Sequence, residues 1–354
     1  MKISDTFFTT KRSDLPEFDL ESFLGRKKYF EAKAGTQILE IKEYLNKNTF
    51  IAFLLAKKGS GKGTYTKLIT EIFGEDLICH ISVGDVVRKY HKLIQDAEEK
   101  IKIVDYLSKN YRGYITLQEA LDIFENKSQG SLLPTEFIIA LVKKEIEDQK
   151  GKAYFIDGFP RGLDQIPYSL FFKELIDLRN DPDIFVTIDT PEELIRARIE
   201  SRVVCPKCQT PRNLRFLPTN FVAYDSSNHS YYLMCDNLAC NKERLIQKDG
   251  DGDGIESIRE RLNTDGELMD KIKVLHGVQK INLSSTLPIG ESSSYADSYE
   301  ITKEYVYSKK NDDLVFVEEQ DYSFKDDSGD EVHTLLAPAV VVQFLDKLSK
   351  SLFK

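Results

Sequence analysis

The chain has 354 residues, 41% of them hydrophobic, and a formal net charge of -9 at pH 7. That length allows a large buried core in two or three domains, while the acidic balance argues against a nucleic-acid scaffold, which shows a basic footprint. No apolar run is long enough to span a bilayer, no secretory leader is seen, and five cysteines without one point to metal or free thiols rather than disulfides, so a cytoplasmic location is expected.

Residues 1–48 read as an N-terminal extension. Met1 to Leu24 is mixed and polar, and Ile38, Ile41 and Leu45 predict a helix over 35–46. Packing against the core is its expected role. An apolar run, Phe50 to Ala56, then empties into Lys57-Lys58-Gly59-Ser60-Gly61-Lys62-Gly63-Thr64, and a helical pattern follows (Tyr65, Leu68, Ile69, Ile72). Strand, glycine loop, lysine and helix form the recipe for holding a polyphosphate. The glycines let backbone N–H groups curl toward the anion, the helix N-terminus adds its dipole, and the lysine reaches the outer phosphates. The strict pattern has glycine where this chain has Ala56.

A short strand, Leu77 to Ile81, is expected to turn at Gly84 into a helix carrying Asp85 and Arg88. A third signature is Tyr154-Phe-Ile-Asp-Gly-Phe-Pro-Arg-Gly-Leu-Asp-Gln165, in which an apolar strand ends at Asp157. Three signatures in this order, each at a strand end, resemble the adenylate kinases and related nucleoside monophosphate kinases. The resemblance covers roughly Phe50 to Leu283 and the last helix. Alternating strands and helices independently predict a parallel sheet with ligands at the carboxyl ends of its strands. The expected fold is α/β: a P-loop NTPase-like parallel sheet flanked by helices. It would carry an acceptor-binding helical flap, a zinc-binding lid and a C-terminal β-insertion.

The resemblance implies roles. Gly59, Ser60, Gly61, Lys62, Gly63 and Thr64 would cradle the donor phosphates, and Thr64 and Asp157 would manage Mg²⁺. Asp85 and Gly158 would line the nucleotide sites. Arg88 and Arg161 would hold the acceptor phosphate, which suits the planar guanidinium fork. Gln165 would read the adenine edge of AMP. Val83 stands where the family usually has threonine near the acceptor base. The flap, residues 82–135, is longer than the family's, with helical patterns at 101–110 and after Thr116, whose Thr116-Leu-Gln-Glu119 reads as a capping box. Gly130 to Phe137 resembles the family's turn into the next helix.

After a strand over 184–189, Thr190-Pro-Glu-Glu193 predicts a helix capped by Thr190 and bearing Arg198 and Arg202 on one face. These match the family's two arginines beside the donor nucleotide; surface pairing with Glu193 or Glu200 is the structural alternative. Cys205-Pro-Lys-Cys208 and Cys235-Asp-Asn-Leu-Ala-Cys240 then read as a tetrahedral four-thiolate zinc site, closed and therefore structural, with two disulfides as the alternative. Many adenylate kinases have such a lid, here residues 203–258. Lys248 stands where the family has an arginine, which keeps the charge and loses the fork. Arg261, in Arg259-Glu-Arg-Leu262, matches a phosphate-contacting arginine. Asp249, Asp251, Asp253, Gly254 and Glu260 also fit positions 1, 3, 5, 6 and 12 of a calcium loop, which would tie Ca²⁺ to lid motion.

A last core strand is expected over 281–284. Residues 286–334 then read as a β-insertion with a hairpin over 299–318, and a closing helix starts at Ala337. The kinase domain would thus span 49–354. The expected reaction is phosphoryl transfer from Mg-ATP to a nucleoside monophosphate, AMP above others, in a monomer that meets nucleotides rather than nucleic acid or membrane. UMP or CMP as acceptor, a regulatory nucleotide-binding module weakened at Ala56 and Lys248, and a kinase responsive to calcium or to a protein partner at the insertions are the alternatives.

Overall fold

The computed structural model describes residues 11–12, 14–126, 133–176, 181–248, 251–309 and 315–353. Helix α1 (Phe23–Leu45) is longer than the sequence pattern suggested: its first half buries Tyr29 and Phe30, and Ala34 (φ -141°) interrupts the helical backbone where the halves join. Strand β1 (Ile51–Leu55), buried along its whole length, leads through the glycine loop into α2 (Lys62–Phe73). Strand β2 (Ile78–Ser82) passes directly into α3 (Val83–Leu93). Ser82 rather than Gly84 makes this junction, its hydroxyl accepting the Asp85 N–H as an N-cap. The flap holds α4 (Ala97–Asn110), capped by Asp96, and α5 (Leu117–Glu125), where Thr116 and Glu119 form the capping box. Positions 130–132 of the expected turn lie outside the described residues, and α6 (Thr135–Asp148) follows.

Strand β3 (Ala153–Asp157), α7 (Ile166–Leu170), α8 (Phe172–Ile176), β4 (Asp183–Asp189) and α9 (Glu192–Glu200) complete this half. The expected Thr190 cap does not form. Thr190 is buried and meets the Ser285 hydroxyl, while the Glu192 N–H donates to Asp327 of the distant insertion at 2.9 Å. Helix α9 also ends before Arg202, which opens β5 (Arg202–Val204), so Arg198 and Arg202 do not share a helix face. The lid then adds β6 (Pro211–Asn213), β7 (Val222–Asp225), β8 (Ser230–Leu233) and β9 (Ile246–Gln247). Helix α10 (Arg259–Val274) returns the chain to the core strand β10 (Gln279–Ser284). The insertion contains β11 (Thr286–Pro288), α11 (Ile289–Tyr295), the hairpin strands β12 (Lys303–Lys309) and β13 (Val315–Asp321), then β14 (Ser323–Lys325) and β15 (Glu331–Thr334). The hairpin's turn, 310–314, lies outside the described residues. Helix α12 (Ala337–Leu352) closes the fold.

The central sheet runs β10-β4-β1-β3-β2, all pairs parallel. One apolar core gathers α1, α2 and α12 on the sheet; a second gathers α3 to α6 with Leu268, Met269 and Ile272 of α10. The extension therefore packs as expected, and it also grips the insertion. The Tyr29 hydroxyl donates to Glu300 at 2.6 Å, and Lys33 ion-pairs with Asp297 and Glu300, with Glu300 fully buried. Among the described residues no helix is long and apolar enough to cross a membrane.

Candidate active site

Every strand of the parallel sheet points its carboxyl end the same way, so the loops after β1, β2 and β3 meet at one edge. Gly59 and Gly61 take φ of +92° and +95°, the left-handed region where glycine alone is unstrained, and this curls the loop. At Gly59 an added Cβ would also stand 3.0 Å from Ile195 of α9. Below the loop lies a cleft of about 550 Å³ lined by the loop, Arg88, Asp157, Gly158, Arg161, Arg261 and Asp265, among others. Lys62, at the first turn of α2, points inward. Its ammonium donates to the Ala56 carbonyl at 2.7 Å and lies 3.8 Å from Asp157. Burial pushes its pKa below the usual lysine range, while Asp157 and Asp265 pull the other way. Burial likewise lowers Arg161, whose neighbour Arg261 acts in the same direction. Cations crowded in a partly desolvated cleft make a positive potential that favours negative charge there.

Arg88 ion-pairs with Asp85 one turn earlier, both largely exposed at the cleft mouth. Thr64 lies in the first turn of α2, its N–H bonded to the Gly61 carbonyl. Gln165 folds back on its own loop: its carbonyl accepts the Arg161 N–H at 2.8 Å, and its amide donates to Thr135 at 3.1 Å. Val83 is buried beneath this side. Arg198 reaches the loop from α9 and donates to the Ser60 carbonyl at 3.3 Å.

The lid arginine and lysine stand apart from these. Arg202 makes a two-pronged pair with Asp251, both contacts 2.6 Å, and Lys248 is exposed just after β9; neither lines the cleft. The surface-pairing alternative fails for Arg202 in its detail, since Asp251, not Glu200, is the partner. Asp265 is the residue the sequence reading missed. It is buried, accepts the Lys58 N–H at 3.0 Å and pairs with Arg261 at 2.8 Å, so one carboxylate fixes both the loop and an arginine. Its spacing four residues after Arg261 on a helical stretch was the available signal.

The cysteines Cys205, Cys208, Cys235 and Cys240 converge, their sulfurs all within 4.8 Å of one another and Cys208–Cys235 at 3.7 Å. Four thiolates about 2.3 Å from a tetrahedral zinc would stand about 3.8 Å apart, so the set fits that ion, and all four thiols are free. Among the described residues the calcium set is not gathered. Asp249 lies outside the described residues, Asp251 is committed to Arg202, and Asp253 and Glu260 are exposed; among the described residues the metal-ligand group that forms is the four cysteines. Residues 254–258 wind into a short 3₁₀ turn that delivers Glu260 onto α10 rather than back toward the loop.

Comparison with known proteins agrees with this geometry. A family model described as an AAA domain matches residues 58–204. The chain is 31% identical over 211 residues to an adenylate kinase of Clostridium novyi, covering 59% of this chain and 78% of that protein. It is 32% identical over 166 residues to an adenylate kinase of Staphylococcus epidermidis, covering 47% and 65%. A probable UMP-CMP kinase 2 of Arabidopsis thaliana is 30% identical over 156 residues, covering 44% of this chain and 49% of that protein. Phosphate loop, converging arginines and cysteine-bearing lid define a phosphoryl-transfer fold of the P-loop type. Within it, the chain belongs to the adenylate kinase-like nucleoside monophosphate kinase family.

Proposed function

We propose that the chain transfers the γ-phosphoryl group of Mg-ATP to AMP, producing two ADP. The observation that carries this reading is the convergence of Lys62, Arg88, Arg161 and Arg261 on one cleft beside the phosphate loop and Asp157. Phosphoryl transfer between two phosphates needs no general base, because the acceptor is already ionised; it needs alignment and charge neutralisation. Lys62 and the loop N–H groups would hold the donor phosphates. Arg88 and Arg161 would turn their forks to the acceptor phosphate, which requires Arg88 to leave Asp85. Arg261, steadied by Asp265, would meet the group in flight. Asp157, with Asp85 and Thr64, would order the Mg²⁺ that arrives with the donor through its water shell. Arg198 would contact the donor from α9, and Arg202 and Lys248 would arrive when the lid closes and excludes water.

AMP is favoured by Gln165, an amide at the acceptor side that can exchange its bonds with the Arg161 N–H and Thr135 for the edge of adenine. The lid would be held by a structural zinc on Cys205, Cys208, Cys235 and Cys240, which supplies stability and no chemistry. In this reading residues 1–48 are an extension, 82–135 the acceptor flap, 203–258 the lid and 286–334 an insertion, with the rest as core. Diphosphate production from Mg-ATP with AMP, CMP, UMP, GMP and dTMP tests it. AMP-dependent ADP formation well above the other acceptors supports it. Preference for UMP or CMP would keep the mechanism and overturn the Gln165 role; ATP binding with no turnover on any acceptor would overturn the kinase reading.

A further inference from the structure

We propose that residues 286–309 and 315–334 form a strap that holds the lid off the phosphate cleft, with Glu304 and Tyr307 as positioning residues for the lid. The proposal rests on the reading of the cleft as the donor site.

The strap is anchored at the core beside the phosphate loop. Asp327, in the turn between β14 and β15, caps α9 through the Glu192 N–H at 2.9 Å and ion-pairs with Lys57 of the loop at 3.0 Å. Tyr322, where β13 meets β14, is buried against Leu194 and Ala197 of α9. From that seat β12 and β13 project over the lid. The Tyr305 N–H donates to the Arg215 carbonyl at 2.8 Å, the Tyr307 hydroxyl donates to the Leu214 carbonyl at 2.6 Å, and Arg215 pairs with Glu304 at 2.7 Å. The Arg215 guanidinium also lies 4.6 Å from the Tyr322 ring centre, and Phe216 packs on that ring at 4.7 Å. Farther out, the rings of Tyr231 and Tyr307 lie 5.5 Å apart.

Lid residues 214–216 are thus bonded to a segment seated on α9 and tied to the loop. In this arrangement Arg202 and Lys248 stand away from the cleft. A lid that swings over the donor either parts from the hairpin, at the Tyr231–Tyr307 ring contact and the bonds at 214–216, or carries the hairpin from its seat on α9; Leu214 is also held to the end of α9 through the Ser201 carbonyl at 2.8 Å. Either way the contacts favour the withdrawn lid, and donor binding must outweigh them. Removing them moves the equilibrium toward closure. The closed state holds the donor, so apparent donor affinity rises, while the acceptor side, on the opposite wall, is unaffected.

The test uses the full-length, zinc-loaded protein with dyes attached through unnatural amino acids at Leu238 in the lid and Val274 at the core end of α10, both exposed. The wild type should shorten its dye distance on adding a non-hydrolysable ATP analogue. E304A/Y307F should populate the short distance without nucleotide. Its KM for ATP should fall roughly threefold to tenfold, as expected for losing one or two partly buried hydrogen bonds, with the KM for AMP unchanged. E304Q, which keeps the shape and loses the charge, should fall between. Should the double variant lose its zinc or its cooperative melt, Y307F alone, which deletes one hydroxyl, carries the same comparison. Nucleotide-free distances equal to wild type, or KM values for ATP and AMP that move together, overturn the strap. A wild type that does not close on the ATP analogue overturns the proposed function, and the strap with it.

Discussion

The strand that feeds the phosphate loop, Ile51–Leu55, is buried at all five positions, whereas the strand that opens the lid, Arg202–Val204, has no buried residue. The cleft is shaped by two large apolar cores pressing on a parallel sheet. The lid's own core amounts to Leu233, Leu245 and three buried cysteines, with a few half-buried neighbours. Burial of large side chains fixes the cleft before any ligand arrives, so its cations can be held together at a cost to their own pKa. The lid has too little apolar surface to fold by itself, and its geometry depends on thiolates, on the Arg202–Asp251 pair and on the strap. Rigid machinery sits on the sheet, and the part that must move is held by a few separable contacts.

The comparison breaks most visibly if a cleft residue turns out to matter for folding. Lys62→Met should lower phosphoryl transfer by roughly a thousandfold, the scale seen when a charge-stabilising donor is removed. Its thermal midpoint should match wild type or exceed it, because a desolvated ammonium is lost. A coupled ADP assay beside a circular-dichroism melt checks both. The lid should behave in the opposite way. Stripping zinc with a chelator under reducing conditions should leave the core transition in place and add a separate, lower transition for the lid. Transfer should fall by about a hundredfold, because Arg202 and Lys248 lose their platform. One cooperative transition with unchanged activity would show that the cysteines do not hold the lid.

The core has its own electrostatic penalty, placed at the end of the sheet away from the cleft. Burial pushes Asp183, at the start of β4, up to about 7, and one of its carboxylate oxygens is buried without a partner. Its ordinary value is 3.8, so between pH 4 and 7 the folded chain binds a proton that the unfolded chain has released. Stability must fall as pH rises through that window. Asp183→Asn should therefore stabilise the protein by about 2 kcal/mol at pH 8, after discounting for screening, and by little at pH 4. Denaturant melts at the two pH values decide it. A gain of equal size at both would mean that packing, not charge, is responsible.

What could be read from the sequence divides along the same line. Features set by neighbours in sequence were legible: the glycine loop, the strand end at Asp157, the Thr116 capping box and the cysteine pairs. Features set across long separations were not. Asp265 gave no sign that it would hold the Lys58 N–H, 207 residues away in sequence. Thr190 and Pro191 made a persuasive local cap, yet the cap came from Asp327. The calcium spacing was also persuasive, but Arg202 claimed Asp251. Neither a helical pattern nor a motif states which partner a carboxylate will choose.

The smallest predicted effect puts that division to measurement. Thr116 caps α5 from within its own segment, and Asp327 caps α9 from 135 residues away. Thr116→Ala and Asp327→Ala should each cost about 1 kcal/mol, the usual size of a lost N-cap. The two costs differ in origin. The Thr116 hydroxyl is neutral, so its deficit should not change with salt. The Asp327 carboxylate adds attraction to the α9 dipole and to Lys57, and its side chain is half exposed, so much of that extra attraction is screened. Raising ionic strength from about 0.05 to 0.5 M shortens the screening length from roughly 14 Å to roughly 4 Å and should shrink the Asp327 deficit. Denaturant melts of the two variants at both salt levels give the comparison. Equal salt dependence would mean that Asp327 acts as a hydrogen-bond acceptor alone. A larger salt response in Asp327→Ala would show that the charge itself helps tie the insertion to the loop, which is where the lid's restraint begins.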